Sequence, residues 1–289
     1  MKLAGASILA AAIVGCASPR RDGHAEWLRL QPRSEPSPEA VPESRESLKL
    51  ATPCEGWPVG GAGLREGYWI ETTTTSPRSK AVTRKSVIAV EVARVKLEVV
   101  DPALSRDYII AIVAARATGE VSWAGAGKKG EKPVEIALEK VEPPRPETTA
   151  DDVEVTVKAG TFRARKVVSR YEASASSFEH TTTRWVGVEG DLEDVDLKMI
   201  TDVPGVPPTE NELAELPSHE EWRLPGKVLG VKHVKYLGKP SPLELWLLPE
   251  SWPFAGSTAK TLVGAPFLTT VEVTGTGEDA RPELDWEGR

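Results

Sequence analysis

Short runs of alternating apolar and polar residues, each broken by turn residues, fill the sequence between Leu64 and Thr274. A period of two sends successive side chains to opposite faces, so these runs suit half-buried β-strands rather than amphipathic helices. The clearest case is a hairpin. Val153, Val155 and Val157 alternate with charged or polar residues, and Ala159-Gly160 makes the turn. Thr161 to Tyr171 returns, with Phe162 and Ala164 in one phase and Val167, Ser169 and Tyr171 in the other. Tyr68 to Thr75 is β-branched and aromatic, and Ser76-Pro77-Arg78-Ser79 reads as a turn. Val90 and Val92 share one phase while Val95, Leu97 and Val99 share the other, so a bulge or tight turn belongs at Ala93-Arg94. Tyr108 to Ala115 is apolar throughout and suits a strand, with a helix allowed by periodicity alone. Val134 to Val141 alternates with Val134, Ile136 and Leu138 inward.

Further strands are expected at 178–188, 197–200, 227–237, 243–248 and 267–274. Thr209 with Glu212 forms a capping-box pattern that predicts a short helix with Leu213 and Leu216 inward, and a second short turn spans Ser218 to Trp222. About ten short strands imply a mainly β fold, a curved antiparallel sheet or half-barrel with one or two short helices. The β domain is expected over 63–274, with a subdivision near 204–226, followed by an acidic, frayed tail at 275–289. Residues 16–62 are rich in Pro, Ser and Gly and predict a disordered tether. Such a coil holds the domain on the order of 30 Å from its point of attachment.

That attachment is written in the first residues. Lys2 is followed by an apolar run from Leu3 to Val14. At about a dozen residues the run is shorter than the ~20 needed to span a bilayer. A charged start, a short apolar core and small residues before a cut site describe a signal peptide over 1–15. Ile13-Val14-Gly15-Cys16 resembles the bacterial lipobox. The resemblance implies cleavage before Cys16, a diacylglycerol on its thiol and anchorage in a lipid bilayer. By the same resemblance Ala17 after the Cys, where Asp is absent, implies the outer membrane, facing the periplasm, in a cell with two membranes. Two acyl chains suffice for stable anchoring.

Composition narrows the partners. The net charge is −7, and cleavage removes Lys2 and no acid, which gives −8. A nucleic-acid partner needs a basic footprint, and none is present. After lipidation Cys54 is the one remaining Cys, a free thiol or an intermolecular link. Cys54 to Gly63 is Gly-rich but lacks the Gly-Lys-Ser/Thr ending of a phosphate loop.

The residues offer little chemistry. His219-Glu220-Glu221 lacks the second His of a helical zinc site, and His180 and His233 fall on strands, where they are expected to face solvent. There is no Gly-x-Ser-x-Gly elbow. Asp151-Asp152 and Glu220-Glu221 are neighbours on strands and therefore point to opposite faces. No catalytic residue, metal or cofactor is expected. The nine Trp, against four Phe and four Tyr, suggest surface aromatics. Trp69, Trp123, Trp185 and Trp246, all on expected strands, are the candidate contacts for an apolar ligand or an envelope protein partner.

The order of hairpin, polar link, Thr183-Arg-Trp185-Val186 and Leu197-Lys198 resembles, over about fifty residues, half-barrel envelope proteins of the lipoprotein-carrier (Lol) kind. That resemblance implies an apolar concavity that holds an acyl chain. Two other classes stay open, an envelope hydrolase with a site assembled from distant residues and a purely structural lipoprotein.

Overall fold

The computed structural model describes residues 44–53, 64–141, 146–172, 179–249 and 258–287. The leader with Cys16, the tether up to residue 43 and the Cys54 loop lie outside them. Part of the expected tether is folded. A 3-10 turn at Arg45–Ser47 leads into strand β1, Lys49–Pro53. Leu48 and Leu50 are buried, and β1 pairs in parallel with β8, Ala137–Val141. Two leucines at a spacing of two give this short segment an apolar edge, and that edge docks.

The rest is one antiparallel sheet of sixteen strands, open at both ends. It is built from two meanders. The first runs outward through β2 (Trp69–Ser76), β3 (Ser79–Val90), β4 (Arg94–Val100), β5 (Ile109–Ala115), β6 (Val121–Gly127) and the short β7 (Val134–Glu135). The second starts at the far edge. It runs inward through β9 (Glu147–Val157), β10 (Gly160–Tyr171), β11 (His180–Gly187), β12 (Asp196–Asp202) and β13 (Thr209–Leu213). It continues with β15 (Lys227–Lys239), β16 (Leu243–Leu247), β17 (Thr258–Val263) and β18 (Thr269–Gly277). The last strand of the second meander zips onto the first strand of the first, β18 on β2. β14 (Ser218–Leu224) forms a hairpin with the first half of β15, and β13 pairs with its end.

Alternation builds two cores. Ile70, Val95, Leu97, Val99, Ile110 and Ile112 lie in the first, with Leu48 and Leu50 from β1. Val155, Val157, Leu197, Leu213, Val234 and Tyr236 lie in the second. The thirteen-residue β15 serves both, with Leu229 in the first and Val234 and Tyr236 in the second.

Several expectations change. The Val90/Val95 phase slip is a tight turn, with Val92 97% exposed at its tip. The run 134–141 breaks at Ile136, because β7 pairs with β6 while β8 pairs with β1; Val134 is therefore exposed, not inward. No α-helix occurs among the described residues, and the helical content is two 3-10 turns, Arg45–Ser47 and Gly190–Leu192. The capping-box segment is strand β13, because its backbone is claimed on both sides, by β12 and β15. The Glu212 carboxylate accepts from the Lys158 N–H at 2.5 Å instead of closing a box. Ser218 to Trp222 likewise lies in a strand, β14. The segment after β18 is not frayed. Gly275 to Gly277 complete β18, and Leu284 is 4% exposed.

Candidate functional site

The four candidate tryptophans are set on four different parts of the sheet, each half-buried and engaged by its own neighbours. Trp69 lies over Gly275 and Gly277 of β18, where side chains would collide with the indole. Its N–H donates to Asp279 Oδ1 at 2.9 Å, and the Arg84 guanidinium stands 4.5 Å from its ring. The Trp69 N–H holds the Asp279 carboxyl below the usual carboxylate range. Trp123 lies over Gly125 and meets Trp286 edge-on at 6.1 Å. Trp185 has the Lys166 and Lys198 ammonium groups at 5.7 and 5.9 Å from its ring. Trp246 is accompanied by a second indole, Trp222, at 6.4 Å.

Trp246 belongs to the densest group of convergent polar side chains. Register places Ser218 opposite His233, His233 opposite Trp246, Trp246 opposite Lys260 and Lys260 opposite Glu272. These five residues form one row across β14 to β18. His233 is 7% exposed, which corrects the expected solvent-facing position. Its ring stacks on Trp246 at 4.0 Å. Nδ1 is 2.7 Å from Glu220 Oε1, and Nε2 is 3.0 Å from Glu244 Oε2. Each ring nitrogen thus faces a carboxylate oxygen from a neighbouring strand, β14 on one side and β16 on the other. Glu220 also accepts from the Trp246 N–H at 3.1 Å and the Ser218 hydroxyl at 3.1 Å. The hydrogen bond from His233 holds the Glu220 carboxyl below its ordinary range. Glu221 points away and meets Arg223 at 3.0 Å, as strand alternation requires.

In chemical terms the imidazole is committed, while Glu220 and Glu244 keep part of their carboxylates in solvent. A general base needs a free lone pair within reach of a substrate proton. Both His233 nitrogens are occupied, so the row fixes strands to one another. Among the described residues, no group of three His, Cys, Asp or Glu side chains is placed to hold a metal ion.

A buried carboxylate organises the first meander. Glu98 on β4 is 3% exposed. Its oxygens accept from the backbone N–H groups of Glu283 and Leu284 and from the Trp286 indole N–H, at 2.8 to 3.1 Å. Sequence reading missed Glu98, which looks like any outward residue of an alternating strand. The overlooked signal was β5, which is apolar on both faces and so requires cover on both.

The outer edge of the second meander is β9, eleven residues paired only with β10 among the described residues. Residues 147–152 are all exposed. Beside this edge lies an open recess of about 350 Å³ lined by Asp152, Val153, Glu154, Arg163, Ala164 and Val188. The chain matches no known protein family, and no characterised protein or solved structure is detectably similar to it.

Proposed function

We propose that this chain is an envelope lipoprotein, anchored through a diacylated Cys16 in the outer membrane, which binds a protein partner through the edge of its open sheet and carries out no chemistry. One observation carries the reading, the edge of β9, which is unpaired among the described residues. An edge strand offers a row of unpaired N–H and C=O groups, and an incoming extended segment extends the sheet by pairing with them. Asp151, Asp152 and Glu154 each stand opposite a cation of β10, Lys166, Arg165 and Arg163, so the edge is charge-balanced and the fitting partner is an extended segment read through its backbone. An acyl carrier needs an enclosed, largely apolar cavity. The recess beside β9 is open and carries Asp152, Glu154 and Arg163, which favours a polypeptide over a lipid ligand.

The test is photo-crosslinking in intact cells with a photoreactive residue at exposed Thr149 on β9, in the wild type and in Cys16→Ser. The expected result is a discrete protein adduct in the membrane fraction of the wild type, and an uncleaved precursor with little adduct in Cys16→Ser. No adduct at Thr149 overturns the edge reading, and a normally matured, membrane-bound Cys16→Ser protein overturns the anchor.

A further inference from the structure

The segment after β18 crosses the sheet face that carries Trp69, Glu98 and Trp123. Its contacts divide into two kinds. One kind is specific and buried. Glu98 takes two successive backbone N–H groups and an indole N–H, Leu284 seats 3.0 Å from where a Gly127 Cβ would stand, and Trp286 meets Trp123. The other kind is peripheral. Lys129 reaches Glu283 at 3.4 Å and Lys132 reaches Asp285 at 4.0 Å, with both ammonium groups well exposed. Between β18 and the seat there is no strand, and the segment joins its neighbours through isolated backbone bonds, Ala280 N–H to Gly67, Gly130 N–H to Glu283 and Asp285 N–H to Glu131, with the Trp69 indole N–H on Asp279 at its start. Releasing it therefore breaks no ladder of the sheet.

What the seat recognises follows from these contacts. A carboxylate that accepts main-chain N–H groups reads an extended backbone, not a particular side chain. Small residues at Ala111, Gly125 and Gly127 leave room for one aliphatic side chain, and Trp123 offers an edge to one aromatic two positions on. Lys129 and Lys132 favour acids between and beside these anchors. We infer that the face around Glu98 is a docking groove for extended acidic segments of the Leu-x-Trp kind, and that residues 278–287 are its resident, exchangeable occupant. The fitting partner is another chain carrying the same pattern. An emptied groove leaves Glu98 buried without donors, so the groove changes occupants rather than standing vacant. This inference does not depend on the β9 edge.

The test uses the full chain with Leu284→Ala and Trp286→Ala, which removes both side-chain anchors, and a fluorescein-labelled peptide of residues 278–287. Fluorescence anisotropy is expected to show saturable binding at least about tenfold tighter than to the wild type, whose tethered occupant competes at about millimolar effective concentration. Adding Glu98→Ala abolishes it. No saturable binding, or binding that survives Glu98→Ala, overturns the inference. Hydrogen exchange on the unmodified chain is a second measurement that needs no variant to fold. The Glu283 and Leu284 amides are expected to open more often than the β4 amides. Exchange of both sets only through a shared global opening overturns exchangeability.

Discussion

His233→Phe is the most informative single change, because it keeps the ring and removes both nitrogens. The stack on Trp246 at 4.0 Å survives in outline, while the hydrogen bonds to Glu220 and Glu244 vanish. A hydrogen bond to a charged group contributes about 1.5–3 kcal/mol. Glu220 and Glu244 side chains are 44% and 33% exposed, so water re-solvates much of what the ring abandons. The net expectation is a loss of about 2 kcal/mol at pH 7, read by urea unfolding as a lower midpoint with an unchanged slope. The pH dependence has a definite sign. The folded state holds the Glu220 carboxyl below its ordinary value of 4.5, first through the bond from His233. Stability from a depressed carboxyl is present above the unfolded value and is lost as pH falls through the folded one. The gap between wild type and His233→Phe is therefore expected to hold from pH 7 down to about pH 4.5 and to narrow below it. A cycle with Glu220→Gln isolates the pair and is expected to show coupling of about 1 kcal/mol. Additive single effects, or a gap that stays constant down to pH 3.5, refute the assignment of His233 as the clamp of this row.

Two further changes test the fold around the sites. A Cβ at Gly238 would stand 1.8 Å from the Ser241 backbone carbonyl oxygen, whereas one at Gly230 on the same strand meets nothing within 4 Å. Gly238→Ala is expected to cost about 3 kcal/mol or more and Gly230→Ala to stabilise by about 0.5 kcal/mol, both read from urea midpoints. Arg184 grips Asp196 with two bonds, at 2.8 and 3.0 Å, and burial pushes the Asp196 carboxyl above its usual range. Asp196→Ala is expected to lose about 3–5 kcal/mol at pH 7, while Arg184→Met with Asp196→Leu recovers most of it. Because burial raises the folded value, stability falls as pH rises from the unfolded value through the folded one, and the double variant lacks that decline.

Much of the strand content was legible because alternation is local. Val95, Leu97 and Val99 share a phase and are all buried, and the expected hairpin forms with its turn one residue earlier than read, at Lys158-Ala159, because Gly160 already pairs with Val157. The order of strands was not legible, since a period of two states which face a residue takes and not which strand lies beside it. The β18–β2 pair joins residues about two hundred positions apart, and no local pattern announces it. The capping box at Thr209 failed for the same reason. Its local preference is worth about 1 kcal/mol, less than pairing along both edges of a strand. β17, Thr258–Val263, was overlooked because its alternation is mostly Thr, Lys and Ala.

The sites were hidden by a further degeneracy. A polar residue in the outward phase of a strand is spelled the same whether it meets water, an imidazole or a backbone N–H. Glu98 and Lys96 stand two apart on β4 in one phase, and nothing local separates the buried clamp from its neighbour, which pairs with Glu91 at the surface. The distinction comes from across the sheet. β5 places Ala111 and Val113 on the same face as Glu98 and Lys96, and apolar residues on both faces of one strand require a second cover. The stretch after β18 is acidic and breaks with the alternating pattern, yet it holds Leu284 and Trp286 at a spacing of two, the spacing of one extended face. An uncovered apolar strand and an unassigned pair of apolar anchors in one chain are complementary demands, and Glu98 is where they meet. The same logic explains His233. Glu220, His233, Glu244 and Trp246 become neighbours only through the pairing of β14, β15 and β16, so the row is a property of strand order, which is the one thing alternation does not encode.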